Sequence, residues 1–431
     1  MRITIKLQVS TGKGSEMNKK TLKDVALQGH RVVMRVDFNV PIKDGVIGDD
    51  TRVQAALPSI KYILDQGASL VLMSHLGRPK GKGYEADFSL QPVAAHLEKA
   101  LGVPVAFAAD CLAADDAVQA LQPGQVLMLE NTRFYAEEEG KVKKTDDMDD
   151  ATLAALKAAM KEKQQAMAQK LASYGDLYVN DAFGTAHRAH ASTAVICKYM
   201  DTCVAGFLME KEINYLGQAV ENPERPFVAI LGGAKVSDKL AVVRNLLTKV
   251  DVLIIGGGMA YTFQKALGKS IGDSLCEDDQ VGYAREMLAD AETRGVKFLL
   301  PVDNIAADRF AADANTQIVS GGIPDNWMGL DIGPESVKLF TEALQGAKTV
   351  LWNGPMGCFE MEAFASGTRG VCEAVAATNS VSIIGGGDSV SAVNQSGLAD
   401  KMAHISTGGG ASLEFLEGKV LPGVAALTEK A

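Results

Sequence analysis

The stretch VNDAFGTAHRAHAS (179–192) packs His187, Arg188 and His190 into four positions behind a short apolar run. A planar guanidinium can hold phosphate or carboxylate through two parallel hydrogen bonds, so Arg188 reads as an anion ligand and the histidines as its supports. The two histidines are three apart, with no cysteine partners and no HExxH context, which argues against zinc. Arg52, Arg78 and Arg133 also follow apolar runs in the first half of the chain, or the loops after them, and His75 stands just before Arg78. Gathered at one sheet edge, these cations would repel one another unless an anion sat between them.

The second half offers backbone instead of guanidinium. Glycine triplets follow apolar runs at 256–258, 385–387 and 408–410. The dinucleotide fingerprint GxGxxG fails at all three, where Tyr261, Val390 and Leu413 take the last position. The P-loop fails too, since Gly268-Lys269-Ser270 has Phe263 where the first glycine belongs. Glycine still lets backbone N–H groups approach an anion ahead of a helix N-terminus. Asp388 in GGGDS supplies a carboxylate suited to a magnesium ion carried by phosphates. Lys235 and Lys239, four apart in GGAKVSDK, are expected on one face at the start of a helix, where a polyphosphate would favour them.

The elements that must position these residues are short continuous apolar runs, each followed by glycine or polar residues and then a helical pattern. They lie at 31–41, 69–79, 125–134 and 176–185, and again at 227–239, 252–263, 297–304, 349–357, 381–390 and 403–412. Such runs predict parallel strands buried on both faces, hence α/β architecture, with ligands at the carboxyl ends of the strands. Two lobes with two ligands follow, divided near 200–225, where Asn-Pro and Arg-Pro end a helical stretch. A long helix is expected over 149–174, with Leu153, Leu156, Met160, Met167, Leu171 and Tyr174 on one face.

A chain of 431 residues, 47% hydrophobic and 22% charged, can build two such cores. Its net charge of −10 argues against a nucleic-acid partner held by bulk electrostatics, while leaving room for a local basic pocket. Six scattered cysteines without a CxxC pair point to reduced thiols in the cytoplasm. No apolar stretch approaches the roughly 20 residues of a membrane span.

Together, RVDFNVP, SHLGRP, ENTRF, VNDAFGTAHRAH, GGAKVSDK, GGGMAYTF, WNGPMGCFE, IIGGGDS and STGGGASLEFLEGKVLPGV resemble the phosphoglycerate kinases, from about residue 19 onward. The resemblance implies two Rossmann-like lobes joined by a hinge, and a cytoplasmic monomer. Its reaction would be reversible phosphoryl transfer between 1,3-bisphosphoglycerate and Mg-ADP, giving 3-phosphoglycerate and Mg-ATP in glycolysis. It divides the chain into residues 17–207 for 3-phosphoglycerate and 208–417, with the hinge helix, for the nucleotide. Residues 418–431 would return to the first lobe, and residues 1–16 are expected to be a disordered extension.

By motif, Asp37, Asn39, Arg52, His75, Arg78, Arg133 and Arg188 would hold the substrate. Arg52, Lys235, Gly387 and Gly410 would face the phosphoryl group in flight. Lys239, Gly256, Gly257, Gly329, Asn353, Glu360 and Gly385 through Ser389 (Gly385, Gly386, Gly387, Asp388, Ser389) would hold the nucleotide, with Asp388 toward magnesium. The nucleophile in the direction from ATP is a carboxylate ionised at neutral pH, so no general base is needed. A nicotinamide dehydrogenase would need the fingerprint that fails. A non-catalytic two-lobed binder of a phosphorylated metabolite would keep the arginines but have no use for Lys235, Lys239 and Asp388 together.

Overall fold

The computed structural model describes residues 18–430; the expected extension at 1–16 lies outside them. The first half supplies β1 (Arg31–Arg35), a small hairpin of β2 (Ile42–Lys43) and β3 (Val46–Ile47), then β4 (Ser69–Met73), β5 (Val105–Ala108), β6 (Val126–Leu129), β7 (Leu177–Asn180) and β8 (Cys203–Ala205). The second half supplies β9 (Phe227–Leu231), β10 (Val252–Ile255), β11 (Lys297–Leu299), β12 (Asp303–Ala307), β13 (Thr316–Ser320), β14 (Met328–Ile332), β15 (Thr349–Asn353), β16 (Val381–Gly385) and β17 (His404–Ile405).

Two six-stranded sheets result, ordered β5-β6-β4-β1-β7-β8 and β11-β10-β9-β15-β16-β17. Their neighbours pair in parallel, Val33 opposite Val71 and Tyr178 in the first, Leu351 opposite Ala229 and Ile383 in the second. SLVLM, FVAIL and TVLWN are buried along their whole length, as strands covered by helices on both faces must be. Each large aliphatic side chain so buried contributes about 1.5–3 kcal/mol. In each sheet the chain moves first to one side of a central strand, β1 or β9, and later to the other. The crevice at that reversal, beyond the carboxyl ends, is where α/β sheets take ligands.

The helix Phe207–Glu221 follows the first sheet and buries Met209, Ile213, Leu216 and Val220 at helical spacing. One hydrophobic cluster runs through it, from Val33 and Tyr178 by way of Phe183 and Leu216 to Ala229 and Leu253. The C-terminal residues pair with the first of the described residues and with β8: Lys20 N donates to Thr428 O at 2.8 Å, and Thr428 N to Cys203 O at 2.9 Å. No helix among the described residues is long and apolar enough to cross a membrane.

Three features depart from the sequence reading. The run 297–304 is broken at Pro301, which cannot donate to a ladder. Its second part becomes β12, in a separate antiparallel sheet ordered β13-β12-β14. The edge strands β5 and β8 were not anticipated, β5 because it is only half-buried and β8 because it has three residues. The long helix spans Asp150–Ala172, capped by Asp149 through Thr152 N at 2.7 Å. It buries only Met167, Ala168, Leu171 and Ala172, while Leu156 is 40% exposed, so the expected apolar face meets the core only in its last turns.

Candidate active site

The cationic site grows from the ends of β1, β4, β6 and β7. Arg52, in the first turn of the helix Thr51–Asp65, donates through Nη1 to Asp37 Oδ2 and to the Asn39 carbonyl, both at 3.1 Å. The Asn39 side chain accepts from Gly77 N at 2.8 Å, and Arg133 Nη1 donates to Gly77 O at 2.9 Å. The loop carrying Arg78 is thus tied to both DFN and ENTRF. Arg133 is buried; among the described residues its Nη2 has no hydrogen-bond partner and its Nε only an ion-pair contact of 3.4 Å with Glu139 Oε1. Burial, then the nearby Arg35, pushes its pKa down to about 10, against the opposing pull of Glu139. Arg78, Arg133 and Arg188 line one cavity of about 1320 Å³.

The histidines are neutral supports. Arg35 Nη2 lies 3.0 Å from His75 Nδ1. A guanidinium can only donate, so Nδ1 accepts and the His75 proton sits on Nε2. Burial and then Arg35 hold His75 well below the ordinary imidazole range. Burial and then Arg133 pull His190 down to about 2. His187 Nε2 accepts from Arg188 Nε at 3.0 Å, aiming that guanidinium.

Beneath them lies a layer the sequence reading missed. Arg35 and Glu138 are fully buried, with Nη2 and Oε1 3.9 Å apart. Both hold Ser192: Arg35 Nε donates to its Oγ at 2.8 Å, and its backbone N donates to Glu138 Oε2 at 3.0 Å. The available signal was an arginine inside the apolar run RVVMRV, on a strand with no exposed face.

The second site lies at the ends of β9, β10, β15 and β16. A cavity of about 570 Å³ brings together Gly257, Gly329, Glu360 and Asp388. A Cβ at Gly329 would fall 2.2 Å from Tyr261 Oη, and one at Gly257, whose φ is +66°, would fall 2.7 Å from the Gly233 backbone. These glycines let the walls close around a flat slot. Tyr261, Leu275 and Phe310 also line it, the last 66% exposed at the mouth; none of them was expected as a site residue.

Beside the slot, Lys239 donates to the Asn353 carbonyl at 2.7 Å and to its side-chain oxygen. Gly385 and Gly386 pass over Asn353, a Cβ on Gly386 falling 3.1 Å from its Nδ2. Ser389 Oγ accepts from Gly354 N. Gly256 packs on Met356, and Gly387 opens the helix Gly387–Gln395 with free space around it. Lys235 and Lys239 do not share an environment as expected. The helix begins only at Leu240, leaving Lys235 exposed while Lys239 turns inward to Asn353. Burial lowers Lys239 to about 8, opposed by Asp388 and then Asp238.

The two cavities share no lining residue. Their lobes touch where a Cβ at Gly184 would lie 2.4 Å from Asp37 Oδ2 and 3.5 Å from Thr407 O. Gly410, at the start of the helix Gly410–Leu416, stands over His187, its would-be Cβ 3.5 Å from Nε2.

A family model described as phosphoglycerate kinase matches residues 22–419. The chain belongs to the phosphoglycerate kinase family. The phosphoglycerate kinase of Moorella thermoacetica is 56% identical over 417 residues, covering 96% of this chain and all of that protein. That of Herpetosiphon aurantiacus is 54% identical over 418 residues, with 96% and 100% covered. Among solved structures, Coxiella burnetii phosphoglycerate kinase superposes with a TM-score of 0.83 at 40% identity, covering 95% of this chain and 98% of that one. The Pyrococcus horikoshii enzyme gives 0.76 at 32%, with the same coverage. As a phosphoglycerate kinase, the chain catalyses reversible phosphoryl transfer between 1,3-bisphosphoglycerate and ADP, a glycolytic step. Nothing in these comparisons supports a non-catalytic binder.

Proposed function

We propose that the arginine cavity holds the phosphoglycerate and the glycine-lined slot holds the nucleotide, so that transfer occurs between lobes 17–207 and 208–417 when they close about the helix at 207–221. The observation that carries this reading is the pair of separate cavities, one cationic and one walled by glycine, at the carboxyl ends of the two sheets. Arg78, Arg133 and Arg188 take the non-transferred phosphate, while Asp37 and Asn39, held by Arg52 and Gly77, meet the hydroxyl and carboxyl end. Glu360 reaches the ribose hydroxyls, Gly257 and Gly329 flank the nucleoside, and Lys239 and 385–389 take the phosphates. Arg52, Lys235 and the N–H groups at Gly387 and Gly410 converge on the group in flight. With an ionised carboxylate as nucleophile, alignment and charge neutralisation are the whole task.

Asp388 suits a magnesium ion: it lines the slot, and its side chain makes no hydrogen bond among the described residues. No cluster of three metal-ligating side chains exists among those residues. That fits an ion carried in by phosphates and met by a single carboxylate. Held by the nucleotide phosphates with Asp388 as its protein carboxylate, the ion would supply charge neutralisation during transfer. We place the enzyme in the cytoplasm as a monomer, acting on 3-phosphoglycerate, 1,3-bisphosphoglycerate, ADP and ATP, with no nucleic-acid or membrane partner.

Turnover of 3-phosphoglycerate with Mg-ATP, trapped by hydroxylamine, tests the division of labour. Arg188→Ala should raise the KM for 3-phosphoglycerate by about 10- to 100-fold, as the loss of a charged hydrogen bond implies, and leave that for Mg-ATP nearly unchanged. Lys235→Ala should lower kcat by about 100-fold or more. Equal losses for both substrates with Arg188→Ala, or an unchanged kcat with Lys235→Ala, would overturn the assignment.

A further inference from the structure

The helix Asp150–Ala172 is an element that the proposed chemistry leaves unused. Its last turns are buried, and the turns before them stand on the surface beside the arginine cavity. Gln164 fixes its position by donating to the carbonyls of Glu138 at 3.3 Å and Ala189 at 3.2 Å. The second contact joins the helix to the residue next to Arg188. Counting back from Gln164, Lys161 and Lys157 follow at three and seven positions and share its face. At 1.5 Å per residue they stand about 4.5 and about 10 Å farther along the axis.

Lys157 and Lys161 line the cavity of about 1320 Å³ together with Lys80, Lys82, Lys141 and Lys143. All six are exposed, and none has an ion pair among the described residues. The cavity's one carboxylate, Glu139, is engaged by Arg133 Nε at 3.4 Å. This concentration of positive charge lies in a chain whose net charge is −10. Its volume exceeds the roughly 300–1,000 Å³ of a typical small-molecule site. A phosphate held by the three arginines would leave the outer lysines unneutralised.

We infer that Lys157 and Lys161, with the lysines at 80–82 and 141–143, form an outer anion subsite that captures the phosphorylated substrate before its phosphate passes inward to Arg78, Arg133 and Arg188. The inference rests on the assignment of those arginines to the substrate phosphate. The chemistry of the two layers differs as the roles require. An ammonium on a flexible stem attracts any small anion without fixing its orientation, whereas the guanidinium fork holds one geometry. The ligand class is a small organic phosphate carrying several negative charges. Capture by exposed cations acts over about a Debye length, ~10 Å at 0.1 M salt, so its signature is ionic-strength dependence.

The test is the full-length Lys157→Glu/Lys161→Glu enzyme, assayed for kcat/KM over a range of ionic strength. For 3-phosphoglycerate, kcat/KM should fall about tenfold at ~20 mM salt and about twofold at ~0.5 M, flattening the salt dependence. The kcat/KM for Mg-ATP should stay within twofold, and Lys157→Arg/Lys161→Arg should match the unaltered enzyme. Lys163→Glu makes the same kind of charge change on another face of the helix and should leave kcat/KM for 3-phosphoglycerate nearly unchanged. An unaltered salt dependence in the double variant, an equal loss with Lys163→Glu, or an equal loss for Mg-ATP would overturn the subsite. Arg188→Ala in the same assay separates the two readings. If it weakens 3-phosphoglycerate while the lysine variant does not, only the outer subsite falls; if it does not, the assignment beneath falls as well.

Discussion

Arg35 shows how a residue that need not touch the substrate can set the substrate site. It donates to Ser192, to the Val36 carbonyl and to His75, and faces Glu138, all without contact with water. Removing one partner of a buried pair leaves the other charge uncompensated, at a cost of about 3–5 kcal/mol. Arg35→Ala should therefore lower the unfolding free energy by that order in a denaturant titration, and weaken 3-phosphoglycerate binding as His75 loses its donor. Lys239 is the corresponding residue in the second lobe. Its proton leaves near pH 8 in the folded chain but near 10.5 in an unfolded one, so the unfolded state binds more protons between these values. Its desolvation cost is thus fully present below pH 8 and is relieved as pH rises toward 10.5. On the proposed assignment, nucleotide phosphates would reverse the preference by favouring the ammonium. Mg-ADP binding at pH 8.5 should then take up a fraction of a proton, seen as calorimetric enthalpies that differ between buffers of unequal ionisation heat. Lys239→Met should abolish that uptake; an uptake that persists would assign it elsewhere.

The helix Phe207–Glu221 begins at an unusual cap. Asp181, just after β7, accepts from Met209 N at 3.0 Å through Oδ1, while its buried Oδ2 has no hydrogen-bond partner among the described residues. A carboxylate suits a helix N-terminus, but here burial dominates and raises its pKa to about 7. The folded state therefore holds a proton that the unfolded chain has released above about pH 4, and the stability this confers is lost as pH rises to 7. Asp181→Asn removes the titration and keeps an oxygen for Met209. Its stability relative to the unaltered protein should improve between pH 5 and 7, by at most about 1.4 kcal/mol per unit. A difference that stays constant from pH 5 to 8 would assign Asp181 no part in the pH dependence. At this scale the sequence was most legible where strands end: a buried apolar run broken by Gly, Asp, Asn or Arg marks both a strand terminus and a ligand crevice. The arginines 78, 133 and 188 and Gly257 were found that way, and they line the two cavities, whereas Gly329, inside β14, came only with the family resemblance. Glu138 was not, because a carboxylate in AEEEG reads as a solvated charge run until folding places it under Arg35. Lys239 was misread for a related reason: four-residue spacing implies a common face only if the helix has already begun, and it begins one residue later. The antiparallel sheet was invisible because its central strand looks like the tail of another.

At the scale of the whole molecule, the two lobes are joined by more than the covalent connection. Glu212, on the helix between them, accepts from Thr407 Oγ1 at 2.8 Å and sits 2.8 Å from His404 Nε2, both on the nucleotide side. The C-terminal segment makes a second tie to the first lobe. Gly423 N donates to Ala186 O at 2.8 Å and Lys430 N to Asn18 O at 2.8 Å, while Leu421 and Leu427 are buried. The segment follows the second lobe in sequence, yet its hydrogen bonds complete the first lobe at β8. Destabilising it should therefore loosen the first lobe before the second. Leu427→Ala removes buried methyl groups at a cost of about 2–5 kcal/mol. For a unit of roughly 190 residues that lowers the melting temperature by about 5–15 °C. Both tryptophans, Trp327 and Trp352, lie in the second half of the chain, so their fluorescence follows the second lobe while far-ultraviolet circular dichroism follows both. In Leu427→Ala the dichroism should begin to melt several degrees below the fluorescence. If both signals fall together by the same amount, the C-terminal segment and the helix at 207–221 bind the lobes into one cooperative unit, and closure has to be read as flexing within that unit.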